Sequence, residues 1–329
     1  MSAAAVGGGS LSALGLGFYG LLRAEAVMAK RTIGGPSEVP PPDATGWYGR
    51  SRSGPAVRVA LLGDSAMAGY GCDEVEETPG AHIGTGIAAH TDRRVYVGEF
   101  AVVGAESADL MAQVDRALPI EPQLAVISIG GNDVTHAVKP DKAVEHLGRV
   151  VRRLRNAGVE VVVATCPDLG TIRPINPPLR QVARLKSRAL ARAQTIAAVE
   201  AGGRSVSVGS ILGPEFDARP LELFGPDRFH PSVEGYAAFA SVLLPSVLAA
   251  LDLLPEDDRQ LHAYRGEGTL SLHKAAVEAA RTPGTELDGT EVAPRRGFGG
   301  RLVPLRHRRR QPSVETEKPA PRLEETAEA

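Results

Sequence analysis

The amino-acid sequence predicts an α/β fold in which helices cover both faces of a central parallel sheet. Short apolar runs alternate with longer segments of helical periodicity between residues 56 and 255, as in successive β–α units. Two of these runs, 124–129 and 159–164, are largely apolar, which is typical of parallel strands covered on both faces. Glycine and polar residues follow the runs, and the carboxyl ends of parallel strands share one edge of a sheet.

The order of elements follows from the spacing of apolar residues. A first strand is predicted from residue 56, where Val57, Val59 and Leu61 alternate before Gly63. Later strands are predicted at 94–103, 124–129, 159–164 and 205–208. Helices are predicted at 79–90, 107–118 and 179–199, from residue 141 and after residue 232. No period is visible at 209–232, which is therefore predicted to be a long loop.

The amino-terminal end differs from this pattern. Residues 1–31 form an apolar segment, and its uncharged part, 3–22, would reach about 30 Å as a helix, enough to cross a bilayer. Basic residues follow this part instead of preceding it, which predicts a membrane-associated protein whose main domain faces the cytoplasm. A cleaved signal of a secreted or cell-envelope protein and a buried glycine-rich arm are the alternatives.

Two further segments lie outside the main domain. Residues 32–55 are rich in proline and glycine and are predicted to be a linker. Residues 256–329 lose the apolar period and are predicted to form a mostly disordered tail. This tail contains a basic cluster, Arg295 to Arg310, with apolar residues between the arginines. The cluster is either a solvated stretch or a contact for anionic lipid headgroups.

Composition limits the classes of function. Of the 329 residues, 43% are hydrophobic, and the net charge of -2 indicates no general attraction to nucleic acid. The two cysteines, Cys72 and Cys166, are too few for a disulfide scaffold or a thiolate zinc cage. The sequence allows one disulfide between them, and two buried thiols are the simpler interpretation.

The chain carries the residue types that acyl transfer requires. Ser65, in a Gly-Asp-Ser turn after the first strand, can be the nucleophile, and His230 can be its general base. Asp227 precedes His230 by three residues and can orient the imidazole from the same loop. Taken alone, the turn could simply cap a helix, and Asp227 and His230 could form a surface ion pair.

The oxyanion of such a reaction needs hydrogen-bond donors. The candidates are the backbone N–H groups of Ser65 and Gly104 and the side-chain amide of Asn132, which lies in a Gly-Gly-Asn-Asp sequence. Gly98 is another glycine in the same region as Gly104, and Asn132 could instead cap the helix after its turn. Asp64 is interpreted as a structural residue that holds the turn, and Asp133 as a helix cap and not a catalytic acid.

In this chain order, Ser65, Gly104, Asn132 and His230 resemble the residues that name the SGNH hydrolases, also called GDSL esterases and lipases. The first motif reads Gly-Asp-Ser-Ala-Met, where the family name expects leucine after the serine, a position that supplies no chemistry. The resemblance spans about residues 57–254 and implies a hydrolase domain at 56–255 with a flavodoxin-like, three-layer α/β/α fold. It also implies hydrolysis of small-molecule or lipid esters without a metal or other cofactor.

Three other functions share parts of this pattern. A transacylase would form the same acyl-serine and differ only in the group that attacks it next. A metallophosphoesterase needs clustered ligands, and the spacing of its candidate histidines does not suit a metal: His82, His90, His136 and His146. A membrane-tethered binding module without activity would not need Ser65, Asn132 and His230 together. The prediction is therefore a serine hydrolase.

Overall fold

A computed structural model describes residues 20–29, 31–33, 39–253, 269–279, 285–288 and 302–307. In chain order the strands are β1 Gly46–Tyr48, β2 Gly54–Gly63, β3 Arg93–Glu99, β4 Leu124–Ser128, β5 Glu160–Ala164, β6 Arg204–Val206, β7 Thr269–Ser271, β8 Thr285–Asp288 and β9 Leu302–His307. They form one sheet in the order β1-β3-β2-β4-β5-β6-β8-β9-β7. Strands β2 to β6 are parallel, and their order matches the 2-1-3-4-5 order of flavodoxin-like folds.

Helices flank this sheet. Residues 20–29 and 31–33 are helical and are together called α1. The others are α2 Pro79–His90, α3 Leu110–Ala117, α4 Gly131–Thr135, α5 Pro140–Asn156, α6 Leu179–Glu200, α7 Val208–Ala218, α8 Pro220–Leu223, α9 Val233–Ala250 and α10 Leu272–Ala279. Short 3-10 turns lie at Ser107–Asp109, Leu118–Ile120 and Leu169–Thr171.

The alternation of side chains along β2 divides the core into two layers. Val57, Val59 and Leu61 point to one face, where α2 and α9 cover the sheet. Ala60 and Leu62 point to the other face, where α3, α5 and α6 cover it. The predicted three-layer α/β/α fold with a mainly parallel central sheet is confirmed.

The segment predicted to be a linker, 32–55, contains an edge strand. β1 pairs with β3 in the antiparallel direction, and the Trp47 ring meets Tyr96 edge-on at a centroid distance of 5.3 Å. Residues 54–55 already belong to β2. A three-residue strand between glycines gives no alternating pattern, so its position depends on the neighbouring strand and not on local sequence.

The prediction of a long loop at 209–232 is wrong up to residue 223, because α7 and α8 lie within 208–223. Gly209, Gly213 and Pro214 interrupt the helical pattern of this segment, which is why the sequence looks irregular. Leu212 and Phe216 are nevertheless spaced one turn apart and buried in the core. Burial of these side chains, and not intrinsic helix propensity, selects the helix here.

Parts of the segment predicted to be a mostly disordered tail have regular structure. Strand β8 pairs with the edge of the parallel sheet at β6, and β9 pairs with β8 and β7, all antiparallel. Ala275, Ala279 and Leu287 form a small core with Val199 of α6. The edge of β6 offers unpaired backbone groups to these strands, a property that the tail sequence itself does not show. Most of the basic cluster Arg295 to Arg310 lies outside the described residues, apart from 302–307 in β9.

The membrane prediction falls largely on residues 1–19, which also lie outside the described part of the chain. The described part of helix α1 contacts the domain through two buried residues, Glu25 and Ala29. The Glu25 carboxylate accepts a hydrogen bond of 2.9 Å from the Leu179 N–H, at the amino terminus of α6. Within the described residues, α9 is apolar and long enough to span a bilayer. Its Tyr236, Phe239 and Leu243 are buried, as in the core helix of a globular domain.

Candidate active site

Ser65 lies in a tight turn at the carboxyl end of β2. Gly63 ends the strand with φ +143°, and a Cβ atom there would lie 1.9 Å from the carbonyl oxygen of Ser128, so only glycine fits. The Asp64 N–H donates to that same oxygen at 3.1 Å. The Gln113 amide bonds both the N–H and the C=O of Gly63, at 2.7 and 2.9 Å. Three hydrogen bonds thus fix the backbone that leads into Ser65.

His230 and Asp227 share the loop before α9. The Asp227 Oδ2 accepts a hydrogen bond of 2.6 Å from His230 Nδ1, and Oδ1 accepts the N–H groups of Phe229 and His230 at 2.9 and 3.0 Å. Burial raises the pKa of Asp227, but these hydrogen bonds outweigh it and hold the pKa below its ordinary value. A charged carboxylate at this position can only accept, so Nδ1 carries the ring proton.

The two segments meet at one hydrogen bond. Ser65 Oγ lies 2.9 Å from His230 Nε2. Because Nδ1 carries the proton of the neutral ring, Nε2 is the acceptor and the serine hydroxyl is the donor. Ser65 is only 9% exposed, so this bond is shielded from water. The arrangement can move a proton from the serine to the imidazole as the serine attacks an electrophile.

The predicted oxyanion donors lie at the neighbouring strand ends. Asn132, in α4 after β4, donates from Nδ2 to the carbonyl oxygen of Ala105 at 2.9 Å. Ala105 closes a turn in which its N–H donates to Val102 and Gly104 has φ +85°. The amide of Asn132 is therefore attached to the loop that contains Gly104. Gly98 lies inside β3 and not in this turn.

Two buried aspartates support these loops. The Asp64 carboxylate accepts hydrogen bonds from the N–H groups of Ala66 and Gly131, but complete burial raises its pKa to about 6. The Asp133 carboxylate accepts from both the N–H and the hydroxyl of Ser107, and burial raises its pKa as well. Each carboxylate links two strand-end loops. The N-cap residue of α4 is Gly130, and Asp133 instead bonds Ser107 in the loop after β3.

An apolar pocket of about 110 Å³ opens beside Ser65. Its polar end contains Ser65, Asn132 and His230, and its walls include Ile172 after β5, Leu212 and Phe216 of α7, and Phe239 of α9. The part of the wall formed by α7 was not predicted, because the sequence placed residues 209–232 in a loop. The signal that could have found it is the one-turn spacing of Leu212 and Phe216.

An ion pair between an exposed arginine and a buried carboxylate supports the pocket wall. Arg188 of α6 donates from two nitrogens to Asp168 Oδ2, at 3.0 and 2.7 Å, and the side chain of Asp168 is 2% exposed. The Gly170 N–H donates to the other carboxylate oxygen at 2.9 Å. Paired and hydrogen-bonded in this way, Asp168 anchors the loop after β5 to α6.

The described residues include both cysteines and the side chains that could act as metal ligands. Cys72 and Cys166 are both free and buried, so they do not pair. Burial raises the pKa of the Cys72 thiol to about 12 and that of Cys166 well above its ordinary value, which makes both poor nucleophiles. Within the part of the chain that the structure describes, no three His, Cys, Asp or Glu side chains cluster as metal ligands.

Comparisons with known proteins show what the chain is similar to. Residues 61–238 match the model of the GDSL-like lipase/acylhydrolase family. A GDSL-like esterase of Mycobacterium tuberculosis is 41% identical over 263 residues, which cover 75% of this chain and 82% of the relative. The crystal structure of TesA has a TM-score of 0.50 at 20% identity and covers 59% of this chain and 99% of its own. A lipase/acylhydrolase from Enterococcus faecalis has a TM-score of 0.47 at 20% identity, with 61% and 98% covered.

Proposed function

The chain belongs to the GDSL-like lipase/acylhydrolase family and is a carboxylic ester hydrolase, and we propose that it works through an acyl-enzyme on Ser65. One observation carries the proposal. Ser65 Oγ, His230 and Asp227 are joined by hydrogen bonds of 2.9 and 2.6 Å at the polar end of an apolar pocket. The hydrogen-bonded order is that of a nucleophile, a base and the group that orients the base.

The steps follow from these contacts. Ser65 Oγ attacks the ester carbonyl carbon as its proton moves to His230 Nε2, which forms a tetrahedral intermediate. The C–O bond to the alcohol breaks, the imidazolium returns the proton to the leaving alkoxide, and an acyl-serine remains. Water then attacks the acyl carbon and gives its proton to His230, which passes it to Ser65 as the acid leaves. Asp227 stabilises the imidazolium in both halves without taking the proton.

The same proposal assigns the oxyanion donors. They are the backbone N–H groups of Ser65 and Gly104 and one N–H of the Asn132 side chain. The amide of Asn132 has two N–H donors, and the bond to Ala105 uses one of them. The N–H that bonds Ala105 fixes the rotamer of Asn132, and the other N–H is available for the oxyanion. Preorganised donors of this kind lower the barrier because they do not reorganise during the reaction.

The pocket suits a short acyl group. Its volume of about 110 Å³ is somewhat smaller than the apolar cavity of about 150 Å³ that holds benzene. We expect an acyl chain of roughly four to six carbons to fill it by that comparison. Leu212, Phe216 and Phe239 would contact the acyl chain of the substrate. Their side chains are apolar and cannot form hydrogen bonds or ion pairs with a charged or hydroxylated acyl group.

The test is a panel of p-nitrophenyl esters of graded chain length, run on wild type, Ser65→Ala and His230→Ala. Each substitution should lower kcat by about 10³-fold or more, and the double variant should lose little beyond that. Ser241→Ala is the matched control, because this serine is exposed on α9 and bonds only the Ala238 carbonyl in the described structure. Fluorophosphonate labelling of a residue other than Ser65 would refute the acyl-serine. Added short alcohols test the transacylase alternative, because an alcohol that attacks the acyl-serine in place of water gives a new ester as product.

We also propose that the enzyme sits at a membrane surface, with its domain on the cytoplasmic side. Three large apolar residues of α1 are exposed, namely Leu21 at 46%, Val27 at 51% and Met28 at 49%. Leu21 lies at the end of the uncharged stretch 3–22, and Val27 and Met28 follow it between Arg23 and Arg31. A helix with this character suits the boundary between headgroups and acyl chains. The basic cluster Arg295 to Arg310 would add attraction to anionic lipid.

Vesicle flotation tests this location. Removal of residues 1–19 should reduce binding to vesicles, and Val27→Ser with Met28→Ser should reduce it further, while hydrolysis of soluble esters stays unchanged. Leu185→Ser is the control, since Leu185 is 70% exposed on α6. Replacement of the cluster arginines by serine should weaken binding to anionic vesicles alone. Equal flotation of all these variants would contradict the proposal. An active reporter of extracytoplasmic location at the carboxyl end would contradict the orientation.

A further inference from the structure

The imidazole of His230 lies between two aromatic rings. The Tyr70 ring is 4.4 Å from it between centroids, at an interplanar angle of 44°. The Phe229 ring is 4.9 Å away and nearly perpendicular, at 76°. Phe229 also lines the apolar pocket, whereas Tyr70 is not among the residues that line it. The two rings therefore have different positions relative to the space for substrate.

Tyr70 is also attached to both halves of the site. Its N–H donates to the carbonyl oxygen of Ser65 at 3.0 Å, which closes the turn after the nucleophile. Its own carbonyl oxygen accepts a hydrogen bond of 2.8 Å from the Tyr236 hydroxyl. Tyr236 is fully buried in α9, the helix that directly follows the His230 loop. One residue thus joins the Ser65 turn, the imidazole and the helix behind the loop.

We propose that Tyr70 is a positioning residue for His230 and that its ring also favours the imidazolium formed during the reaction. The inference rests on the proposed acyl-serine mechanism, which needs His230 as the base. Ser65 and His230 are 165 residues apart, so the separation of their side chains depends on how the two loops are held together. Asp227 holds the ring only from within its own loop. The Tyr70 ring restrains the imidazole from the loop of the nucleophile.

The electrostatic part follows from the geometry of the rings. An aromatic face attracts a nearby cation, and the imidazole becomes a cation when it takes the serine proton. Loss of the ring should therefore move the pH dependence of kcat/KM to lower pH, while the two carboxylates that act on the imidazole stay in place, Asp227 in its own loop and Asp64 in the Ser65 turn. It should also lower kcat, because a small misplacement of the base costs much of the rate. KM should change little, since Tyr70 does not line the pocket.

The experiment compares Tyr70→Leu with Tyr70→Phe. The leucine variant should lose about 10- to 100-fold in kcat by misplacement of the base. Its kcat/KM should also titrate at lower pH than wild type, because that profile reports the base of the free enzyme. The phenylalanine variant keeps the ring and should stay close to wild type in both readouts. Tyr96→Leu is the matched control, because Tyr96 lies on β3 and contacts Trp47 instead of the site.

Tyr236→Phe supplies a second route if Tyr70→Leu does not fold. It removes only the hydrogen bond to the Tyr70 carbonyl and should lower kcat by a few fold without raising KM. Wild-type kcat and pH profiles in both Tyr70→Leu and Tyr236→Phe would overturn the inference. A drop in thermal stability with an unshifted pH profile would also overturn it. Failure of the mechanism itself looks different, because Ser65→Ala would then keep its activity.

Discussion

Ser65 and His230 meet at one hydrogen bond, but the segments that carry them are held by different means. The Ser65 turn is attached to the sheet through its backbone. Its polar groups bond the Ser128 carbonyl, the Gln113 amide and the Val102 N–H, all on neighbouring segments. Any sequence that keeps this backbone path keeps the nucleophile in place.

The His230 loop closes mainly on itself. The Gly225 N–H donates to the His230 carbonyl at 2.9 Å, and the Ser232 N–H donates to the Leu223 carbonyl at 2.9 Å. The Asp227 carboxylate then fills the turn and holds the ring. The comparison indicates that the nucleophile depends on backbone contacts with the sheet, whereas the base depends on side chains, Asp227 within its own loop and Tyr70 from the Ser65 turn. Substitutions on the two sides should therefore fail in different ways.

The largest effect is expected on the Ser65 side, from Gly63→Ala. An added Cβ would collide with the backbone of Ser128, which the parallel strands hold in place, and φ +143° is closed to alanine. Unfolding free energy should fall by about 4 kcal/mol or more, the range of severe core changes. Urea unfolding followed by circular dichroism measures it.

The matched change in the His230 loop is Arg228→Gly. Arg228 has φ +55°, a left-handed conformation that costs an ordinary residue about 1–2 kcal/mol and glycine almost nothing. Relief of this strain opposes the greater chain entropy of glycine, so stability should change by less than about 1 kcal/mol. If Gly63→Ala were as mild as Arg228→Gly, the backbone would not be what holds the nucleophile.

A smaller effect on stability and a large one on rate are expected from Asp227→Asn. The Asn oxygen can still accept from the Phe229 and His230 N–H groups, so the turn should persist. The amide NH₂ would instead face Nδ1 of His230 as a donor and favour the tautomer with its proton on Nε2. That ring cannot accept the serine proton, and kcat should fall by about 10²- to 10⁴-fold.

The measurement is kcat together with the thermal midpoint. Asp227→Ala is the companion variant, because it also removes the acceptor of the two backbone N–H groups and should lower the midpoint as well. Full activity in Asp227→Asn would mean that another group orients His230.

These two sides also differ in how far the sequence predicted them. The strand ends could be predicted because each apolar run stops at a glycine or polar residue, and parallel strands bring those ends together. Asp227 and His230 could be predicted as a pair from their spacing alone. The wall of the pocket could not, because Gly209, Gly213 and Pro214 conceal the helical period of α7. Its conformation is selected by burial of Leu212 and Phe216, which is a property of the assembled core.

The tail shows the same limit more strongly. Strands β8 and β9 take their positions by adding to the open edge at β6. Nothing in their own sequence specifies that edge. The role of Tyr70 was likewise hidden, since the contact between its ring and His230 joins positions 160 residues apart along the chain. Sequence patterns report local preference, and these contacts are long-range.

The smallest of the three effects concerns pH and the two aspartates nearest to Ser65 and His230. Burial raises the pKa of Asp64 to about 6, so the folded state binds this proton more tightly than the unfolded state does. The unfolding free energy should therefore rise as pH falls from about 7 towards 4, by at most about 3 kcal/mol for a shift of this size. The pKa of Asp227 is lowered, so its stabilisation is present at neutral pH and is lost in acid.

Asp64→Asn isolates the first contribution. Asparagine stays neutral at every pH and keeps one acceptor for the Ala66 N–H, although it gives up the second acceptor towards Gly131. Urea unfolding of variant and wild type at pH 8, 6.5 and 5 should show the variant gaining stability relative to wild type as pH rises. Burial also raises the pKa of Glu99, to about 7, where its carboxylate accepts the Ala44 N–H. Glu99 titrates in both wild type and Asp64→Asn and so cancels in their difference. If the unfolding free energies of wild type and Asp64→Asn changed with pH in parallel, Asp64 would already be charged in the folded state. Its hydrogen bonds would then outweigh the effect of burial on its pKa, as they do for Asp227.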